Sequence, residues 1–400
     1  MRPFVMRPAG LFIFLLTVSL AAFQPAHAQQ SAPLPVSNAS ETYEFGTSIT
    51  FQAQISLPGP ASEANLLFAA QGEQNTRVIP IQIDAQGNTQ TRYDLNQGKV
   101  RPFSTISYQY QVKLKSGEDL TSQTFNFLYE DNRFTWQKTS DNDITIHWYT
   151  GDMDFGQKAL DVARRGLKKA SDLLLIKQSK PVDVYIYDSS ADQTAALELG
   201  GLSSAGGEAS PDLRVAIVSI LPGPEQGLEM DQKIPHELGH IVTYDLMTDR
   251  YDRLPVWLRE GIATQVELSA NPDYPRALAQ ATQQRALMPI SGLCGAFPPE
   301  SGRSFLAYAE AVSFTRFVMD KFGQTGLLAL TSAYGDGLNC EQGMQQALGQ
   351  PLSKVEEEWL ASSLGENTGL SALSNLFPYL AVLAVLLIVP LVSALTIRKS

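Results

Sequence analysis

The sequence predicts an α+β protein: an antiparallel β-sandwich of immunoglobulin or fibronectin type over residues 41–130, then a mixed half over 131–364 that turns helical, then one transmembrane helix. Three observations carry this. Apolar and polar residues alternate between turn signals in the first part, as in Ser48–Ile55 and Ser107–Leu114. From Ile144 to Ile220 strand-like and helix-like runs interleave, and beyond that apolar residues keep helical spacing. Leu376–Ile397 is a charge-free run long enough to span a bilayer as helix.

Taken in order, the first segment has Arg2 and Arg7, an apolar run Ala9–Phe23, and Ala26-His27-Ala28 before Gln29. Basic start, apolar middle and small-x-small end form the pattern of a cleaved secretory leader over 1–28. Residues 29–40, with Pro33 and Pro35 among serines, read as a linker. In 41–130 the turns Leu57-Pro58-Gly59-Pro60, Ala85-Gln86-Gly87-Asn88 and Lys115-Ser116-Gly117-Glu118 punctuate short strands. This stretch contains neither histidine nor cysteine, so a spacer or substrate-docking role is expected of it.

The second half opens with a strand at Ile144–Tyr149, a helix over Asp154–Ile176 and a strand at Pro181–Tyr187. A short helix through Leu197, the glycine-rich Gly200–Gly207 and a strand over Leu213–Ile220 follow. Further helices are expected at Arg276–Leu287, Ser304–Phe322, Thr325–Tyr334, Glu341–Leu348 and Ser353–Leu364, separated by Gly and Pro. Residues 365–375 read as a tether to the spanning helix 376–397, in which Pro390 is tolerated. The basic pair Arg398-Lys399 in the tail 398–400 fits a cytoplasmic side and places the preceding domains outside, as an extracellular, single-pass arrangement at the cell membrane.

The net charge of −11 argues against nucleic acid as a partner. Cys294 and Cys340 are either a disulfide, in keeping with an oxidising compartment, or two buried thiols. Oligomeric state is not encoded in any pattern of this chain.

The chemistry lies between Lys233 and Glu267. His236-Glu237-Leu238-Gly239-His240 is an H-E-x-x-H pentapeptide. A helix has about 3.6 residues per turn, so histidines at i and i+4 leave from one face and can hold one metal ion. Hydrolytic zinc sites usually add a third protein ligand and keep a position open for water. Trp257-Leu258-Arg259-Glu260-Gly261 offers Glu260 as that ligand. Apart from His27 in the leader, the only other histidine is His147, set in an Ile-His-Trp strand run where a core histidine is expected, so Glu260 is the favoured third ligand. The alternative for the pentapeptide is a surface helix whose glutamate serves a salt bridge. Glu237, beside the first ligand, is placed to take a proton from water and pass it to a leaving amine. Asp245 and Asp249 are open as partners for a ligand histidine.

The pairing of His236–His240 with Trp257–Ala263 resembles the gluzincin metallopeptidases, and among them the peptidase MA-like metallohydrolases. The resemblance covers roughly 144–364. It implies one zinc ion per chain on His236, His240 and Glu260, and an oxyanion-stabilising tyrosine on a later helix, for which Tyr308 is the candidate beside Tyr244 and Tyr251. It also implies a substrate-positioning edge strand next to the metal helix, here the rim Gly206-Gly207-Glu208 with Arg214–Ile220, to which an extended peptide would add. The function expected is a membrane-anchored zinc peptidase acting on peptides or proteins outside the cytoplasm. A hydrolase of non-peptide amides and a cell-surface binding protein without turnover are the alternatives, and the intact Glu237 counts against the latter.

Overall fold

The structure, a computed structural model, describes residues 33–177, 180–201 and 209–365. The first part forms strands β1 (Val36–Glu44), β2 (Ser48–Ile55), β3 (Ala61–Ala70), β4 (Arg77–Pro80), β5 (Asn88–Asp94), β6 (Ser104–Leu114), β7 (Asp119–Thr121) and β8 (Phe125–Tyr129). One sheet has the order β1-β2-β5; the other runs β4-β3-β6-β7, with β8 also paired to β6. Every pairing in them is antiparallel. Alternation drives this packing: Ser104, Ile106, Tyr108, Tyr110, Val112 and Leu114 of β6 all point into the core, where Phe51 meets Tyr108 at 5.0 Å and Phe68 at 5.3 Å. β1 starts at Val36, inside the stretch expected to be linker. Its side chains are largely polar and half-exposed, so the strand shows itself only through its register on β2 (Val36 opposite Ile55).

The second part adds β9 (Gln137–Asp141), β10 (Ile144–Trp148), α1 (Met153–Leu174), β11 (Val182–Tyr187), α2 (Ser190–Leu199), β12 (Ala209–Ser210) and β13 (Val215–Ser219). They are followed by α3 (Gln226–Met247), α4 (Val256–Val266), α5 (Asp273–Gln284), α6 (Ser301–Gly335), α7 (Cys340–Leu348) and α8 (Leu352–Ser363). The sheet has the order β12-β13-β11-β10-β9. β10, β11 and β13 are parallel, and β9 and β12 run antiparallel at its edges.

Both faces of this sheet are buried, in different cores. Val184, Ile186, Ala216 and Val218 pack under α1 and α3, while Tyr185, Tyr187, Val215 and Ile217 belong to the core of the β-sandwich. Phe103 lies 3.9 Å from Tyr185, and Arg101 makes a two-pronged ion pair with Asp212. The β-sandwich therefore closes one face of the second part and is no detached spacer. Strand alternation fixes this, because successive residues must serve opposite faces.

Among the described residues no helix is long and apolar enough to cross a membrane. The expected fold class is corrected accordingly: the described residues form an α+β architecture with no membrane-spanning helix among them. The long α1, α3 and α6 bury part of their surface against neighbours and keep polar residues outside. Residues 1–28, 376–397 and 398–400, and all of the tether after residue 365, lie outside the described residues.

The helical end differs from expectation in one connection. Ser304–Phe322 and Thr325–Tyr334 form a single element, α6, broken at Gly323, whose φ of 69° is left-handed backbone suited to glycine. Cys294 and Cys340 form a disulfide that ties the segment after α5 to the first residue of α7. The same segment is held by two carboxylates: Glu310 accepts from Met288 N at 2.9 Å and Glu356 from Ile290 N at 2.9 Å. Burial, relieved in part by the Met288 N–H and reinforced by the charge of Glu356, pushes Glu310 up to about 7 from an ordinary 4.5. The folded chain thus keeps a proton that the unfolded chain gives up, and this contribution to stability is full below about 4.5 and lost as pH rises through about 7. Glu310→Gln is expected to be about 1–3 kcal/mol more stable than the parent at pH 8 and no different near pH 4. Denaturant titrations at the two pH values check this, and equal differences at both would refute it.

Candidate metal centre

Local packing explains how α3 and α4 come to hold a centre between them. Pro235 has no N–H to give to the carbonyl of Asp231, and Leu268 N takes that acceptor instead, at 2.8 Å. This pins the chain just past α4 against α3 and brings Glu267 beside His236. The helices then approach through glycines. A Cβ on Gly239 would come within 2.8 Å of Ala263 Cα, and one on Gly261 within 1.9 Å of Thr315 Oγ1. Gly239 costs α3 about 1 kcal/mol relative to alanine, and the close contact with α4 is what it allows.

His236 and His240 leave α3 from one face, and Glu260 meets them from α4. His236 Nε2 lies 3.4 Å and His240 Nε2 3.6 Å from Glu260 Oε2. The three ligand atoms fall within 4.8 Å of one another. His240 Nε2 and Glu260 Oε2 are buried without a hydrogen-bond partner among the described residues. Two imidazole nitrogens and one carboxylate oxygen at these separations suit a tetrahedral ion with bonds of about 2.0–2.2 Å. The donor set fits zinc.

The outer nitrogens are held too. His236 Nδ1 lies 3.1 Å from Glu267 Oε1 and 3.4 Å from Thr264 Oγ1, and His240 Nδ1 lies 3.0 Å from Tyr251 Oη. With Nε2 turned inward, each Nδ1–H donates outward, which fixes tautomer and ring orientation. The Arg259 guanidinium sits 5.3 Å over the Tyr251 ring. Burial opposes a charge on His236, but Glu260 and Glu267 outweigh it and raise its pKa well above the ordinary value. Burial likewise raises Glu260, yet His240 and His236 hold it well below the usual carboxylate range. The pocket is thus built to balance buried carboxylates with positive charge. Tyr251→Phe and Glu267→Gln should each weaken metal affinity about 10–100-fold. Competition titration with a chromophoric chelator measures it, and unchanged affinity in both would remove their orienting role.

Glu237 is 7% exposed, on α3 between the two histidines. Tyr308 is half-buried on α6, its ring 5.1 Å edge-on to Phe297. It shares a helical face with Ala311 and Thr315, the residues of α6 that meet Gly261 of α4. His147 belongs to a different place: Nε2 lies 2.7 Å from Asp183, and the ring stacks on Tyr185 at 4.1 Å. Gly206 and Gly207, with Glu208, lie outside the described residues.

Asp245 and Asp249 do not meet the outer nitrogens of His236 or His240. Asp245 pairs with Arg214, and Asp249 accepts from Thr248; both lie beyond the turn of α3 that carries His240. The partners that do, Glu267 and Tyr251, carry no motif of their own. The only hint in the sequence is Pro235, which frees the carbonyl that draws Leu268 in.

The edge next to α3 also departs from expectation. β12 covers β13 at Val215 and Ala216. Asp183 N donates to Arg214 O at 3.1 Å and Ile220 N to Tyr187 O at 2.8 Å, so Val215, Ile217 and Ser219 direct their backbone groups outward. The Ile217 carbonyl accepts from Gln193 Nε2 at 3.0 Å and that of Ser219 from Lys233 Nζ at 2.7 Å. Side chains cap this part of the edge, which leaves less of it for strand addition than the alternation of Arg214–Ile220 implied.

Residues 162–365 match the Peptidase MA superfamily. No curated protein matches the chain. Among solved structures, an M1 zinc metallopeptidase variant from Deinococcus radiodurans is 12% identical, with 79% of this chain and 90% of that chain covered and a TM-score of 0.36. A purple acid phosphatase from yellow lupin (Lupinus luteus) seeds is 11% identical, with 50% of this chain and 40% of that chain covered and a TM-score of 0.22. A myokine is 9% identical, with 25% and 99% covered and a TM-score of 0.20. The chain spans less than half the length of the phosphatase, and TM-scores this low carry no argument. The superfamily match includes α3, α4 and the helices after them, just over half of the sequence. On that match the chain belongs to the Peptidase MA superfamily, a family of gluzincin-like metallopeptidases.

Proposed function

We propose that this protein is a zinc-dependent peptidase that hydrolyses peptide bonds with Glu237 as general base. The observation that supports this best is the convergence of His236 Nε2, His240 Nε2 and Glu260 Oε2 with Glu237 beside them on α3. When bound, zinc supplies a positive charge that acidifies water and polarises a carbonyl. Glu237 accepts the proton of the attacking water and returns it to the leaving amine. Its burial keeps solvent from competing for that proton. Tyr308 donates to the oxyanion that forms as the carbonyl is attacked. Gly206 and Gly207, just before β12, are the proposed rim of the substrate groove. The disulfide and the leader-like residues 1–28 support a working place outside the cytoplasm.

A peptide-library cleavage profile of the full-length protein, with Glu237→Gln alongside, tests the reading. Cleavage by the parent and not by the variant is expected; a parent that binds peptides but never cleaves them would make it a binding protein. Tyr308→Phe should keep zinc and lower kcat about 10²–10³-fold. A kcat within threefold of the parent (about 0.7 kcal/mol) would give the oxyanion role to another group.

A further inference from the structure

Around Tyr308 on α6 stand three aromatic rings that the proposed chemistry leaves unused, those of Tyr274, Phe297 and Phe305. Phe305 of α6 is 36% exposed and is grouped with other rings rather than scattered singly. Its ring lies 5.1 Å from that of Tyr274, at the start of α5. One turn along α6, Tyr308 meets Phe297 edge-on, also at 5.1 Å. Phe305 and Tyr308 are three residues apart and share a helical face, and the same face continues to Ala311 and Thr315 at Gly261, next to the ligand Glu260. Tyr274 links these rings to the centre from the other side. Burial and then the charges of Glu267 and Glu260 raise the pKa of its hydroxyl, so it lies within electrostatic reach of both carboxylates. Tyr274, Phe297 and Tyr308 are half-buried, leaving ring surface available.

We propose that Tyr274, Phe297 and Phe305 form a side-chain subsite that takes a bulky apolar residue, aromatic or branched aliphatic, next to the scissile bond. This rests on the peptidase reading above. Two features choose the occupant. The face of α6 that carries Phe305 and Tyr308 runs on to Ala311 and Thr315 at Gly261, the residue after Glu260, so a peptide whose carbonyl sits at the centre would lay a neighbouring side chain towards the rings. The wall of the subsite is made of rings, whose faces pack best against an apolar side chain. An apolar side chain in such a pocket changes kcat/KM by about 10–200-fold.

The test uses the full-length protein and matched peptides carrying Phe, Leu, Ala or Asp at each of four positions on either side of the cleaved bond. At one position the parent should favour Phe or Leu over Ala by about 10-fold or more, and Phe305→Ala should cut that ratio at least fivefold there and at no other position. In zinc-loaded Glu237→Gln, calorimetric binding should show the same preference, and adding Phe305→Ala should remove it. A preference that Phe305→Ala leaves intact, or one that falls equally at all positions, overturns the subsite while cleavage itself upholds the peptidase. No cleavage by the parent, together with a binding preference lost in the double variant, upholds the subsite and overturns the peptidase. Neither cleavage nor binding overturns both. Circular dichroism melts control for folding, and Phe305→Leu, which keeps an apolar side chain, should shift the preference from Phe towards Leu; if it leaves the preference as it was, the subsite falls.

Discussion

Glu237→Gln is expected to lower kcat by about 10²–10⁴-fold with zinc content unchanged. Glutamine fills the same volume and keeps a carbonyl oxygen, so the packing around this 7%-exposed side chain survives. What it loses is the ability to hold a proton between the attacking water and the leaving amine. None of the three ligand atoms belongs to Glu237, so metal affinity should stay within a few-fold. Steady-state kinetics on a peptide the parent cleaves, with zinc counted by elemental analysis on the same sample, gives both numbers. Undiminished turnover would take Glu237 out of the mechanism.

Glu260→Ala is expected to weaken zinc binding far beyond the about 10–100-fold that follows loss of an outer-shell partner. It removes the one anionic ligand and leaves His236 and His240 with an incomplete set. His147→Ala is the informative comparison, because it deletes the only other histidine among the described residues. His147 is occupied by Asp183 at 2.7 Å and by the face of Tyr185, so its loss should cost stability and leave zinc affinity unchanged. Chelator competition on both variants decides the order, and the reverse order would make His147 the third ligand.

The cluster of His236, His240 and Glu260 could be read from the sequence because it rests on local geometry: an i, i+4 pair on one helix and a glutamate in a short motif. The strands of the β-sandwich core were legible for the same reason, since burial of alternate residues leaves a period of two. β1 and β9 were not, because edge strands with polar side chains owe their position to backbone pairing alone. The partners of His236 and His240 were hidden more deeply. Glu267 reaches His236 only because Pro235 frees the Asp231 carbonyl for Leu268, and Tyr251 reaches His240 from a 3-10 turn, Thr248–Arg253, after the helix. Asp245 and Asp249 looked equally suitable until their positions beyond the His240 turn were fixed. The shared core of the two parts was also beyond sequence reading. Tyr185, Tyr187, Val215 and Ile217 look like ordinary strand residues until a second layer is seen to cover them.

The most direct test of the account is zinc stoichiometry measured together with peptide hydrolysis, on purified full-length protein stripped with a chelator and then titrated with zinc. The account predicts hydrolysis that is absent without metal and rises linearly to a plateau at about one zinc per chain. Neither the metal content nor the rate should recover in the double variant His236→Ala, His240→Ala. Full hydrolysis in the stripped protein, or zinc uptake that survives loss of both histidines, would contradict it.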